Sequence, residues 1–269
     1  MKVVSDIPYA PESGVYGLGD LYLPDESTTR RDIVLAIHGG GWRALDKSSY
    51  EGVARFFVEN EFIVFNINYR LAPEHPCPAC LDDCLKAADF LQNKTIPELD
   101  GVDRSKIWIC GASAGGHLAL MTGLRLGAKH VKGIVSISGI ADPTPDARNH
   151  PDRYSDFLGK TLGPQELASI SPMSRLDDDP PPMLCTHYLH DSVVPFESVD
   201  NFLAAAKSRS IELEHYFYDL GRENQGHAIW IPGSVPHRLY QDIEDHILAF
   251  INKHGSGKNP ASVMNPCSG

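Results

Sequence analysis

Six runs of mainly apolar residues punctuate the chain, at 33–37, 62–68, 106–110, 131–138, 183–187 and 212–218. The first, Ile33-Val34-Leu35-Ala36-Ile37, carries no polar residue at either parity, which predicts a strand buried on both faces. Between the runs, apolar residues recur at helical spacing over 50–60, 79–92, 114–127, 198–208 and 237–253. Strand and helix in alternation predict an α/β fold, a mostly parallel central sheet with helices on both faces, entered through an antiparallel segment at 15–23. One stretch interrupts the rhythm. Residues 142–181 are more than a strand-to-strand connection needs, and Tyr154, Phe157, Leu158 and Leu162 suffice for one or two short helices, which predicts a small cap-like insertion. A single domain over 1–254 and a flexible tail over 255–269, rich in Gly, Ser, Asn and Pro, complete the layout.

The chemistry gathers where predicted strands end. Gly111-Ala112-Ser113-Ala114-Gly115 joins the run at 106–110 to the helical stretch at 114–127. Small residues on either side of a serine permit the sharp strand-to-helix turn that lifts a hydroxyl above a sheet. Ser113 is therefore the candidate nucleophile. Upstream, His38-Gly39-Gly40-Gly41-Trp42 follows the run at 33–37, and its glycines let backbone N–H groups approach a ligand closely. Gly40, Gly41 and Ala114 are the candidate oxyanion donors. Downstream, Asp191 follows the run at 183–187 and His227 lies beyond the run at 212–218, so nucleophile, acid and base fall in the chain order Ser113, Asp191, His227. A serine hydroxyl needs a neighbouring base, and imidazole is the base suited to neutral pH. Among twelve histidines, His38 reads as a loop brace and His117 as a first-turn residue of the nucleophile helix, while His190 and His237 lack the Gly-His placement of His227. Glu223 rivals Asp191 for the acid by its nearness to His227. Trp42 and Trp230 flank the glycine loop and the base, and are candidates for substrate-binding walls; Arg70 and Glu74 read as loop braces.

Taken together, His38-Gly39-Gly40-Gly41-Trp42, Asn68-Tyr69-Arg70-Leu71-Ala72-Pro73-Glu74, Gly111-Ala112-Ser113-Ala114-Gly115-Gly116 and the Asp191/His227 pair resemble the α/β-hydrolase fold esterases over residues 6–254. The first two segments are similar to hormone-sensitive-lipase-like carboxylesterases. Trp42 and the opening segments Asp6-Ile7-Pro8-Tyr9 and Asp20-Leu21-Tyr22-Leu23-Pro24 are similar to bacterial carbohydrate esterases and kynurenine formamidases. Ala112 stands where the lipase-like branch carries Asp. The resemblance implies a serine carboxylic ester hydrolase acting on small short-acyl esters, acetylated or feruloylated sugars among them. Hydrolysis of N-formylkynurenine by the same triad is the alternative, and a hydrolase-like protein that only binds ligand is a third reading. The resemblance brings no cofactor.

Composition narrows the partners. A formal charge of −11 repels nucleic acid and anionic membrane surfaces, which leaves a small-molecule ester as the expected partner, with self-association open. No run approaches the length of a membrane-spanning helix, and Met1 to Pro8 holds no apolar secretory segment, so a cytoplasmic location is the expectation. Of six cysteines, Cys110 and Cys185 belong to strands predicted to flank a third, beyond disulfide reach. His75, Cys77, Cys80 and Cys84 have a spacing zinc can use, but Cys80 and Cys84 also suit one apolar helix face, and no second pair of ligands follows. The reading is buried thiols and no metal.

Overall fold

Apolar runs become strands here because each divides its side chains between two layers. In β3 (Ile33–Ile37), Ile33, Leu35 and Ile37 enter one hydrophobic core while Val34 and Ala36 enter the other. In β5 (Ile107–Ala112), Ile107 and Ile109 likewise face away from Trp108, Cys110 and Ala112. The computed structural model describes residues 1–25, 32–176, 179–220 and 226–255. Within them β1 (Lys2–Pro8), β2 (Leu18–Leu23), β3, β4 (Ile63–Ile67), β5, β6 (Val131–Ile137), β7 (Met183–Tyr188) and β8 (Leu213–Tyr218) form one sheet in the order β1-β2-β4-β3-β5-β6-β7-β8. β1 pairs with β2, and β2 with β4, antiparallel; every later pair is parallel.

Helices cover both faces. α1 (Glu51–Glu59) and α8 (Gln241–His254) pack on the Val34 side, and α2 (Ala79–Asn93), α3 (Ala114–Leu126) and α7 (Phe196–Ser208) on the Leu35 side. Parallel strands with helical crossovers bring the carboxyl ends of β3, β5 and β7 to one edge of the sheet, where open α/β folds bind ligands. Cys110 and Cys185 lie on β5 and β7 with β6 between them.

Several boundaries depart from the sequence reading. β1 escapes it because the strand is mostly exposed and carries little apolar alternation. The entry strand starts at Leu18, since Pro11–Gly17 curls into a 3-10 turn. α8 begins at Gln241 and not at 237, because Leu239 pairs with Trp230 in an isolated antiparallel bridge that holds this stretch extended. Among its described residues the insertion holds three short α-helices, α4 (Pro143–Asn149), α5 (Pro151–Leu158) and α6 (Pro164–Ser169), and a 3-10 turn at Pro172–Arg175. Each opens on a proline, whose missing N–H costs nothing in a first turn. Residues 256–269 of the expected tail lie outside the described residues.

Candidate active site

Ser113 caps the N-terminus of α3 with φ 57° and ψ −124°, outside the regions open to most side chains. Such a conformation costs on the order of 1–3 kcal/mol and persists only where its surroundings enforce it. They do so on both sides. The Ser113 N–H donates to the Ile137 carbonyl of β6 at 2.9 Å, and the His117 N–H donates back to the Ser113 carbonyl at 3.1 Å. A side chain on Gly115 would run into the Ile37 and His38 carbonyl oxygens, and one on Gly111 into the Gly115 carbonyl. The turn therefore closes only with glycine at both places. The Ser113 side chain stays partly open to solvent.

The glycine loop lies directly beside it. A Cβ at Gly39 would stand 3.3 Å from the Ser113 Cβ. Gly40, Gly41 and Trp42 follow with φ 103°, 60° and 63°, and the Arg43 and Ala44 N–H groups turn back to the Gly40 carbonyl at 3.2 and 3.1 Å. Neither Gly40 nor Gly41 spends its N–H on an internal partner among the described residues. The Ala114 N–H, first of α3, has no intrahelical acceptor. These are the three donors read from the sequence. His38 and Tyr69 brace the loop: their rings stack at 4.3 Å, and the Tyr69 hydroxyl lies 3.0 and 3.1 Å from the His38 and Gly39 carbonyl oxygens. The Arg70 guanidinium forks onto the fully buried Asp83 carboxylate of α2, with Nε and one terminal nitrogen each at 2.8 Å. Arg70 is thus a brace, as read; Glu74 is exposed and braces nothing among the described residues.

Trp42 corrects the sequence reading. Its ring is 1% exposed, so it presents no wall to a ligand. It stacks on Phe157 of α5 at 4.3 Å, meets Tyr154 edge-on at 5.4 Å, and donates from Nε1 to His117 Nδ1 at 3.2 Å. The tryptophan fastens the insertion to the glycine loop, which a loop sequence read alone does not reveal. Trp230 is partly buried, edge-on to Tyr50 at 6.1 Å and stacked with His237 at 6.0 Å, and so supports the chain that follows His227. Arg153 was not anticipated at all. From the insertion, its Cδ lies 3.8 Å from where a Gly41 Cβ would stand, and its guanidinium pairs with the fully buried Asp146, which also accepts from the Tyr154 hydroxyl at 2.8 Å. The Arg153 Nε is buried without a hydrogen-bond partner among the described residues. Its only sequence signal is a polar residue amid the aromatics of a presumed cap.

His227 Nδ1 and Asp191 Oδ2 are 2.7 Å apart, with the carboxylate fully buried. Asp191 Oδ1 accepts from the Val193 and Val194 N–H groups at 2.9 Å each, so both oxygens are committed and the carboxylate is aimed at the ring. Nδ1 must then carry the hydrogen, which leaves Nε2 as an acceptor. That atom is buried and has no hydrogen-bond partner among the described residues. The two loops are joined by the Ser192 N–H to Gly226 carbonyl bond at 3.2 Å, and the Tyr218 hydroxyl donates to the Ala228 carbonyl at 2.9 Å. Glu223, the rival acid, lies outside the described residues. Such a set can draw a proton from a hydroxyl, support the imidazolium that results, and hold an oxyanion on backbone donors.

His38 and His117 add a pH dependence to folding. Burial pushes each down to about 4, so both are neutral in the native state. The hydrogen bonds agree: His117 Nδ1 accepts from Trp42, and Nε2 donates to the Ile170 carbonyl at 2.7 Å. An unfolded histidine takes up its proton near pH 6.5, so from there down to about 4 the unfolded chain binds more protons than the native one. Their contribution is complete above about pH 6.5 and is lost progressively toward pH 4. We expect Tm to fall by several degrees between pH 7 and 5; a flat Tm over that interval in thermal melts would contradict the neutral, buried assignment.

Among the described residues no helix is long and apolar enough to cross a membrane. The chain is 26% identical over 209 residues to Esterase LipC of Mycobacterium tuberculosis, covering 69% of this chain and 51% of that protein. It is 38% identical over 111 residues to Carboxylesterase NlhH of the same species, covering 39% and 34%. The chain thus spans about half or less of the length of these curated relatives. Among solved structures, a truncated form of a carbohydrate esterase from gut microbiota superposes with a TM-score of 0.78 at 22% identity, over 94% of this chain and 96% of that one, a likeness of fold. The BD-FAE family model matches residues 19–205, from the entry strand through the glycine loop and the elbow to α7. With most of its length inside that match, and with the sheet and crossovers described above, the chain belongs to the BD-FAE family and has the α/β-hydrolase fold.

Proposed function

We propose that the chain hydrolyses small carboxylic esters with short acyl groups, acetylated or feruloylated sugars among them, through an acyl-enzyme on Ser113. His227 Nε2 takes the serine proton as Oγ attacks the ester carbonyl, and Asp191 steadies the imidazolium without taking the proton itself. The Gly40, Gly41 and Ala114 N–H groups receive the oxyanion, a kind of donor whose removal typically costs a hundredfold to a thousandfold in rate. His227 then returns the proton to the departing alcohol, and water repeats the sequence on the acyl-enzyme. One observation carries this reading: an imidazole with one nitrogen held by a buried carboxylate and the other buried and unpartnered among the described residues, at the strand edge that bears the serine elbow. The names borne by LipC, NlhH and the carbohydrate esterase support it.

The short-acyl part rests on the insertion, which is small and pinned to the glycine loop at Trp42. Each buried methylene gains about 0.8 kcal/mol, so an open groove raises kcat/KM with chain length, whereas a closed pocket turns it over early. The test is a panel of p-nitrophenyl acetate to decanoate, acetylated xylooligosaccharides, methyl ferulate and N-formylkynurenine. We expect an optimum at acetyl to butyryl, with octanoyl and longer esters at least about tenfold poorer. A preference for decanoate would overturn the short-acyl reading, and the highest kcat/KM on N-formylkynurenine would make the chain a formamidase.

A further inference from the structure

A cavity of about 250 Å³ lies between α2, α3 and the insertion. None of Ser113, Asp191, His227 and the glycine loop contributes to its wall, so it is separate from the candidate active site. Leu81 of α2, Leu118 and Met121 of α3, and Phe157 and Ile170 of the insertion make most of it apolar. Its charged residues are Arg125, Lys160 and Arg175, and no described carboxylate joins them. Arg125 and Lys160 are exposed and Arg175 is half-buried, so the charge gathers at the mouth while the depth stays apolar.

The cations are not spent on the protein's own acids. Lys160 meets Glu166 at 3.6 Å, but Arg125 and Arg175 have neither an ion pair nor a side-chain hydrogen bond among the described residues, and the Arg175 Nε is buried. A buried guanidinium N–H without an acceptor is costly, and a bound anion removes that cost. In a chain of formal charge −11, three cations gathered at one mouth with no carboxylate among them mark a local site for negative charge.

We propose that this cavity binds a medium-length monocarboxylate, with its chain among Leu118, Met121 and Phe157 and its carboxylate on Arg175, beside Arg125 and Lys160. A planar guanidinium offers a carboxylate two parallel N–H donors, which fixes the head and leaves the body to the apolar wall. A cavity of about 150 Å³ walled by Leu, Ile and Phe already takes up benzene, so this one admits a longer apolar body. A cationic head is repelled at the mouth, and a neutral one gains burial alone. Occupancy reaches the glycine loop through shared rings. Phe157 and His117 both line the cavity, Phe157 stacks on Trp42 at 4.3 Å, and His117 Nδ1 accepts from Trp42 Nε1 at 3.2 Å. A chain seated against these rings braces the insertion on the loop, and the folded state gains stability as ligand is added.

The test titrates octanoate into the whole chain by calorimetry, with 1-octanol and octylammonium for comparison. One octanoate should bind per chain and Tm should climb with its concentration, while octylammonium binds at least about tenfold more weakly. Arg175→Gln, at a half-buried position, should weaken octanoate by about fivefold or more and leave octanol nearly unchanged. A carboxylate is also a product of the hydrolysis proposed above, so the place of binding is read at Cys77, which lines the cavity and is partly exposed. Saturating octanoate should slow its alkylation by iodoacetamide severalfold, followed by mass spectrometry. Absence of saturable octanoate binding, or an unprotected Cys77 at saturation, would overturn the site. An unchanged octanoate affinity in Arg175→Gln would overturn the contact with Arg175, and octylammonium binding as tightly as octanoate would overturn the preference for anions. None of these readouts depends on ester hydrolysis, so the site and the proposed reaction fail separately.

Discussion

Ser113→Ala is expected to lower kcat on p-nitrophenyl acetate by at least about a thousandfold while leaving Tm unchanged or slightly raised. The two parts rest on different observations. The rate falls because the proposed covalent route loses its nucleophile, and the residue left over reflects only oxyanion donors and binding. Stability holds because the Ser113 side chain is partly open to solvent, whereas the backbone there is held by Ile137, His117 and the glycines on either side. Asp191→Asn should be severe but somewhat milder than His227→Ala, since the carboxylate acts through the ring and losses within one catalytic unit do not add. A Ser113→Ala protein keeping more than about a tenth of wild-type kcat would remove the serine from the mechanism.

Trp42→Ala should carry the largest cost in stability, about 3–5 kcal/mol, the range for emptying a buried aromatic site. In a chain of this size that lowers Tm by on the order of 10 °C. The ring joins the glycine loop to His117 on α3 and to Phe157 on the insertion. Its removal should therefore lower kcat as well, even well below the new Tm, because the donors of the glycine loop lose their backing. Trp42→Phe, which keeps the stack and gives up the hydrogen bond to His117, should recover most of the stability. A Tm for Trp42→Ala within about two degrees of wild type would refute the clamp.

The residues that carry the proposed chemistry were legible because strand ends impose local rules. Ser113 needs a tight turn, and a tight turn needs Gly111 and Gly115, so the requirement is written within five positions. The glycine loop announces itself in the same way. Asp191 and His227 were legible through the order of apolar runs, because a parallel sheet gathers successive strand ends on one edge. What stayed hidden depends on contacts between segments distant in sequence. Trp42 could equally have faced a ligand or the core, and only Tyr154 and Phe157, more than a hundred positions on, decide for the core. Arg153 acquires its place beside Gly41 from the packing of α5. β1 was missed for the opposite reason, since an exposed edge strand needs little hydrophobic pattern to pair.

The bracing of the glycine loop has one further consequence. A trans peptide unit is planar, so the Gly39 carbonyl and the Gly40 N–H point in opposite directions as one rigid body. By holding that carbonyl with the Tyr69 hydroxyl at 3.1 Å and with the His38 ring at 2.7 Å, the protein also aims the Gly40 N–H the other way. Under the proposed mechanism, the direction of that donor is thus settled during folding and need not be found again at each turnover, which keeps reorganisation out of the activation barrier. Tyr69→Phe, by freeing the plane, should appear as a less favourable activation entropy on an Eyring plot, with substrate affinity little changed.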